Sequence, residues 1–220
     1  MREIGDGLWC VEHALTLGGM PFGTRTTVIR LPSCGLLLVG PGDLSDDDAA
    51  AIDALGPVER ILAPNLFHHL FLAQARARWP DARLEVAQGL PEKIKGVPHD
   101  GVCAPQDDLG TVRWMRIDGA PKLGEHVLHH PDSGTLILTD LCFHFIEDRG
   151  WWMRFQMKLF DAWGKLGPSR YARFLMDDKA AVKRSVDQVL EWDFDRIVVS
   201  HGEILEQGAK EQLRAAFAAI

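Results

Sequence analysis

The chain has 220 residues, 46% of them hydrophobic and 25% charged, with a formal net charge of -7 and a sequence pI near 5.7. That length suits one domain, and the acidic balance excludes a surface built to neutralise nucleic-acid phosphates, which needs Lys and Arg in excess. No stretch is polar enough for disorder, the start Met1-Arg2-Glu3-Ile4-Gly5 lacks the pattern of a secretion signal, and no run approaches the roughly eighteen consecutive apolar residues of a membrane span. The cytoplasm is the expected location.

In chain order, Thr26-Thr27-Val28-Ile29-Arg30-Leu31 is an apolar, β-branched run that turns through Pro32-Ser33-Cys34-Gly35 into Leu36-Leu37-Leu38-Val39, the pattern of a buried hairpin. A short strand, Arg60-Ile61-Leu62-Ala63, follows, and Asn65 is placed to cap a helix running from Leu66 to Arg78. The design then returns. Glu125 to His130 turns through Pro131-Asp132-Ser133-Gly134 into Thr135 to Asp140, and a second Arg-led strand, Arg196-Ile197-Val198-Val199, meets Ser200-His201-Gly202 before a last helix near Gln207 to Ala218. Two similar halves of strands and helices predict an α/β (α+β) chain folded as a four-layer αββα sandwich, a single domain over residues 1–220.

A helical insertion at about 147–180 interrupts the second half. Trp151, Trp152, Phe155, Leu159 and Trp163 fall near i, i+4, i+8 and i+12, with Arg154, Lys158 and Lys165 between them. The leading expectation is a helix that packs this aromatic stripe on the body; a lid, a dimer contact or a membrane-surface contact are the alternatives.

Ligands gather outside the carboxyl ends of strands, where loops converge. Those ends deliver Asn65, His68 and His69 from one strand, Asp140 and then His144 from another, and His201 from a third, so three strand ends each present a metal-ligand type. The remaining candidates are weaker. Alternation separates His129 from His126 and His130, which are expected on the sheet surface. Cys10, Cys34, Cys103 and Cys142 lack C-x-x-C spacing and read as separate reduced thiols. No G-x-S-x-G elbow supports a serine hydrolase, and neither Gly18-Gly19 nor Gly40-Pro41-Gly42 fits a phosphate loop.

The order of hairpin, strand and helix, with Thr139-Asp140 and Ser200-His201-Gly202 closing strands, resembles the metallo-β-lactamase superfamily over nearly the full chain. Pro64-Asn65-Leu66-Phe67-His68-His69-Leu70-Phe71-Leu72 and Pro131 to Asp140 are similar to an uncharacterised branch of it. The resemblance implies an H-x-H-x-D-H motif beginning at Asn65; on that register the two leading His become Asn65 and Phe67, the Asp becomes His69 and the last His becomes Leu70. The second-half Gly-His falls near Gly119-Ala120, leaving Asp140 and His201 unchanged.

One of the family's two metal positions is therefore expected to be lost. The other would keep Asp140, His201 and a substituted His69, with His68 or His144 as a fourth contact and Asn65 as a further candidate, a set suited to one zinc or iron ion. Two readings follow. One is a mononuclear metal-dependent hydrolase of a small ester, thioester or phosphoester; the other is a catalytically inactive ligand-binding or scaffold protein. In the second, Trp152 and Trp163 would contact a small-molecule ligand in the same cleft, and a homodimer is compatible with either.

Overall fold

The computed structural model describes residues 1–147, 150–218 and 220; Asp148 and Arg149 of the expected insertion lie outside the described residues. The first half runs β1 (Arg2–Gly5), β2 (Leu8–His13), a ribbon of β3 (Thr16–Leu17) and β4 (Met20–Pro21), β5 (Thr24–Arg30), β6 (Leu36–Val39), α1 (Asp46–Asp53), β7 (Val58–Ala63), α2 (Leu72–Arg78), β8 (Arg83–Val86) and β9 (Gly101–Val102). The second runs β10 (Gln106–Asp108), β11 (Arg113–Arg116), β12 (His126–His130), β13 (Thr135–Leu138), α3 (Trp151–Leu159), α4 (Arg170–Phe174), α5 (Lys179–Val189), β14 (Arg196–Val199) and α6 (Ala209–Phe217). Both hairpins and both Arg-led strands form as expected. They belong to two sheets, ordered β1-β2-β5-β6-β7-β8-β9 and β10-β11-β12-β13-β14.

Why the central strands are apolar throughout follows from their two faces. Leu36 and Leu38 of β6 point outward to Ile52 and Leu72 of the helices α1 and α2, while Leu37 and Val39 point inward, toward Leu128, Ile137 and Val198 of the other sheet. On the far side, Leu136, Leu138, Ile197 and Val199 meet Val182, Val186, Leu213 and Phe217 of α5 and α6. Helix, sheet, sheet and helix thus make the four layers, each interface built around an apolar cluster. A fully buried Leu in such a layer contributes roughly 1.5–3 kcal/mol, so the three apolar interfaces dominate the stability of the fold.

Three local expectations are corrected. The helix after β7 begins at Leu72, not Leu66, because the Asn65 side chain accepts from the backbone N–H groups of Phe67 and His68 (2.8 Å each) and holds residues 65–71 as a string of turns. The aromatic stripe of α3 is turned away from the body: Met153 and Met157 are buried, and Trp151, Trp152, Phe155 and Leu159 are exposed. Trp163 lies beyond the helix, in a bridge to Phe145. Finally, His126, His129 and His130 are all buried, because both faces of β12 are covered. Each finds a local acceptor or donor: the Pro64 carbonyl for His126, the Asp193 carbonyl for His129 and the Ser133 hydroxyl for His130. The four cysteines are unpaired.

Candidate metal centre

The carboxyl ends of β7, β13 and β14 meet at one edge of the sandwich. Among the described residues, His68, Asp140 and His201 form a group whose ligand atoms all lie within 4.8 Å of one another. His68 Nε2 stands 3.3 Å from Asp140 Oδ2, and His201 Nε2 stands 3.3 Å from Asp140 Oδ1, so one carboxylate faces two imidazoles with a different oxygen to each.

The tautomer of His201 is set from the other half of the chain. Its Nδ1 is 2.7 Å from the Gly23 carbonyl, which can only accept, so Nδ1 carries the proton and the Nε2 lone pair faces Asp140. Phe143 stacks on the ring and Phe22 meets it edge-on, which fixes its plane. The ring of His68 is admitted by Gly40, whose φ of 59° suits glycine and where a Cβ would come within 3.0 Å of His68 Nδ1. Close behind His201, Gly202 takes φ 98°, and a Cβ there would run into the His144 carbonyl.

Below the triad lies a buried polar brace. Glu125 Oε1 accepts from the Thr139 N–H (2.6 Å), and its Oε2 accepts from the Asp140 N–H (3.1 Å) and from Asn65 Nδ2 (2.9 Å). Asn65 Nδ2 also reaches Thr139 Oγ1 (2.9 Å) and Asp140 Oδ2 (2.6 Å). Asn65 therefore presents N–H groups to Asp140, while its oxygen is engaged with the backbone; it orients the carboxylate and is no donor to a cation. Glu125 was not among the sequence candidates. No motif marks it in the sequence, since its partners are the backbone N–H groups of Thr139 and Asp140 and the Asn65 amide.

Of the other candidates, His69 lines the adjoining cavity but stands outside the convergent group, and its ring is kept below its ordinary pKa by burial and by Lys93. His144 turns its Nδ1 to the Glu203 carbonyl at 2.8 Å. Ala120, at the expected place of the second-half His, is buried in the α5 and α6 core. The cavity itself has a volume of about 290 Å³. Its floor is His68, Asp140 and His201, and its walls include Phe22, Phe67, Phe71, Phe143 and Leu175; Trp152 and Trp163 do not line it.

The donor set fits a single divalent ion. His68 Nε2 is buried and makes no hydrogen bond, although it faces Asp140, so the atom is left for a partner that two imidazole nitrogens and a carboxylate share. Without an ion, a proton serves instead. Burial alone would push the Asp140 carboxyl up and the His68 imidazole down; the mutual attraction of the pair reverses both, with His201 helping to hold Asp140 well below the usual carboxylate range and Glu125 helping to raise His68. Glu125 is raised by burial and by the nearby Asp140 charge.

The histidines elsewhere predict that the metal-free fold is acid-sensitive. Burial holds His13, His126, His129 and His130 below the ordinary value of 6.5, so each is kept neutral in the folded state and gains a proton on unfolding in mild acid. Their contribution is present above that value and is lost as the pH falls through it. His68, raised, has the opposite sign: its contribution is present at low pH and is lost as the pH rises through its folded value. With His69 also lowered, five histidines against the raised His68 and Glu125 predict that the urea midpoint of the metal-free protein drops between pH 7.5 and pH 5.5, with net proton uptake on unfolding. Equal midpoints at the two pH values would contradict this.

No family model matches the sequence, and no curated protein does. Solved structures share its fold along nearly its whole length. DIM-1 metallo-β-lactamase exposed to ceftazidime superposes with a TM-score of 0.69 at 9% identity, covering 99% of this chain and 95% of that one. The metallo-β-lactamase from Pontibacter korlensis gives 0.67 at 11% identity, covering 100% and 98%. The metallo-β-lactamase FIM-1 from Pseudomonas aeruginosa, solved in a mono-zinc form, gives 0.67 at 13%, covering 99% and 93%. The chain therefore has the metallo-β-lactamase fold.

Proposed function

We propose that His68, Asp140 and His201 hold one divalent metal ion, zinc or iron, and that the protein is a mononuclear hydrolase of a small ester, thioester or phosphoester with an apolar body. The observation that carries this reading is the convergence of His68 Nε2 and His201 Nε2 on one carboxylate, each 3.3 Å from a different oxygen of Asp140. A divalent ion at such a site supplies Lewis acidity and lowers the pKa of water toward neutrality.

The protein's own residues supply the rest. Asp140 brings the negative charge that two neutral imidazoles lack; Asn65 donates to its carboxylate, and Glu125 holds the Asp140 backbone N–H and the Asn65 amide in place. One convergent group of three ligands favours one ion over two, and the amide of Asn65, donating to Asp140 Oδ2, adds no ligand for a second. Phe22, Phe67, Phe143 and Leu175 surround the open side with apolar surface, so a substrate there is shielded from bulk water and its apolar part is bound. The unpaired cysteines suit a reducing compartment, which agrees with a cytoplasmic location.

Elemental analysis of protein purified without chelator or His tag tests the reading. Close to one equivalent of zinc or iron is expected, lost in His201→Ala. Absence of metal after soaking the wild-type protein in either ion would reject the hydrolase and leave a metal-free binding protein of the same fold.

A further inference from the structure

The outward aromatic face of α3 runs into Phe160, which closes the helix and lines the cavity. Trp151 is 78% exposed, Trp152 52%, and Phe155 and Leu159 54% each; from α4, Phe174 is 75% exposed. Four more exposed apolar side chains, Leu17, Leu70, Phe160 and Tyr171, belong to the cavity wall itself. These side chains extend the cavity wall along α3 and α4 as an apolar collar. Scattered exposed apolar residues need no explanation, but a contiguous group of large aromatics beside a pocket marks a binding surface.

Charge decides what binds there. Between Trp151 and Phe174 the chain carries five basic residues, Arg154, Lys158, Lys165, Arg170 and Arg173, and one acidic residue, Asp161, whereas the whole chain has a net charge of -7. Arg154, Lys158, Lys165 and Arg170 are exposed. A two-fold dimer through this face would set each cationic cluster against its copy. An anionic bilayer meets both features at once: Trp and Phe enter the headgroup region, and Lys and Arg stay with the phosphates.

We propose that the collar docks on an anionic lipid bilayer and that the cavity receives an amphiphile from it, acyl part against Phe67, Phe71 and Leu175 and polar group toward His68, Asp140 and His201. The docking stands on the collar and its charge; the polar group's fate as a hydrolysed ester rests on the metal-centre reading above.

Vesicle flotation tests it, with no added ligand. Phosphatidylcholine vesicles containing about one-third phosphatidylglycerol are compared with pure phosphatidylcholine, at low and high salt, and metal content is measured on the same preparations. Binding to the anionic vesicles is expected, at least about tenfold weaker on the neutral ones and at high salt. Trp152→Ala with Phe155→Ala, and separately Arg154→Glu with Lys158→Glu, should each weaken it by about tenfold or more while leaving metal content unchanged. These residues are exposed, so their loss spares the fold. Absence of vesicle binding, binding unaffected by either pair of changes, or a dimer in solution that Trp152→Ala dissolves would overturn the docking. Vesicle binding without metal uptake would support the docking and remove the hydrolase; metal uptake without vesicle binding would do the reverse.

Discussion

His68→Ala is expected to lose metal by more than about 100-fold in affinity, because removing even a supporting partner of a ligand typically costs about 10–100-fold. His69→Ala, one residue along, is expected to hold metal as the wild type does. The contrast is sharp because the two side chains share a turn and differ only in direction. His68 Nε2 faces Asp140 at 3.3 Å, and His69 is absent from the convergent group. A chelator competition read by a zinc-sensitive dye measures both variants on one scale. Loss in His69→Ala with retention in His68→Ala would mean that the turn presents the other imidazole. Asp140→Asn should resemble His68→Ala, since the amide keeps the shape but removes the charge that balances the ion.

Glu125→Gln is expected to destabilise the protein by about 3 kcal/mol or more, a large effect for an isosteric change. Both carboxylate oxygens act as acceptors: one for the Thr139 N–H, the other for the Asp140 N–H and Asn65 Nδ2. An amide replaces one oxygen by an NH₂ that must face a donor, in a place with no exposure to water. Each buried donor left unpaired costs about 1–3 kcal/mol. Urea unfolding gives the difference directly. Retained stability would show that the brace can rearrange, and the orientation of Asp140 would then need another cause. Glu125→Ala should be at least as damaging, with the space of the side chain added to the loss.

The strands were legible because burial on both faces writes itself as an unbroken apolar run, as in Leu36 to Val39 and Thr135 to Leu138, with Pro and Gly at the turns. Asp140 and His201 were legible because each stands two residues past the end of such a run. The choice between His68 and His69 was not, since residues 65–71 follow neither helical nor strand periodicity and the Asn65 side chain sets their directions. The facing of α3 was ambiguous for a different reason. Trp151, Phe155 and Leu159 repeat every four residues, but so do Met153 and Met157, and both sets are apolar. Glu125 was hidden because its partners are backbone N–H groups fourteen and fifteen positions away, which leave no mark in the residue types.

The place of His201 has a mechanical consequence. His68 comes from the first half of the chain, Asp140 and His201 from the second, and the carbonyl that orients His201 from the first again, at Gly23. Arg25 of β5 repeats the pattern, donating to the Val199 and Gly202 carbonyls on either side of that histidine. Neither half possesses the donor set alone. An ion held there would rivet one sheet to the other beside the hydrogen bonds of Arg25 and Gly23, so the grip on the ion and the spacing of the two sheets are linked: whatever slides the halves apart opens the site.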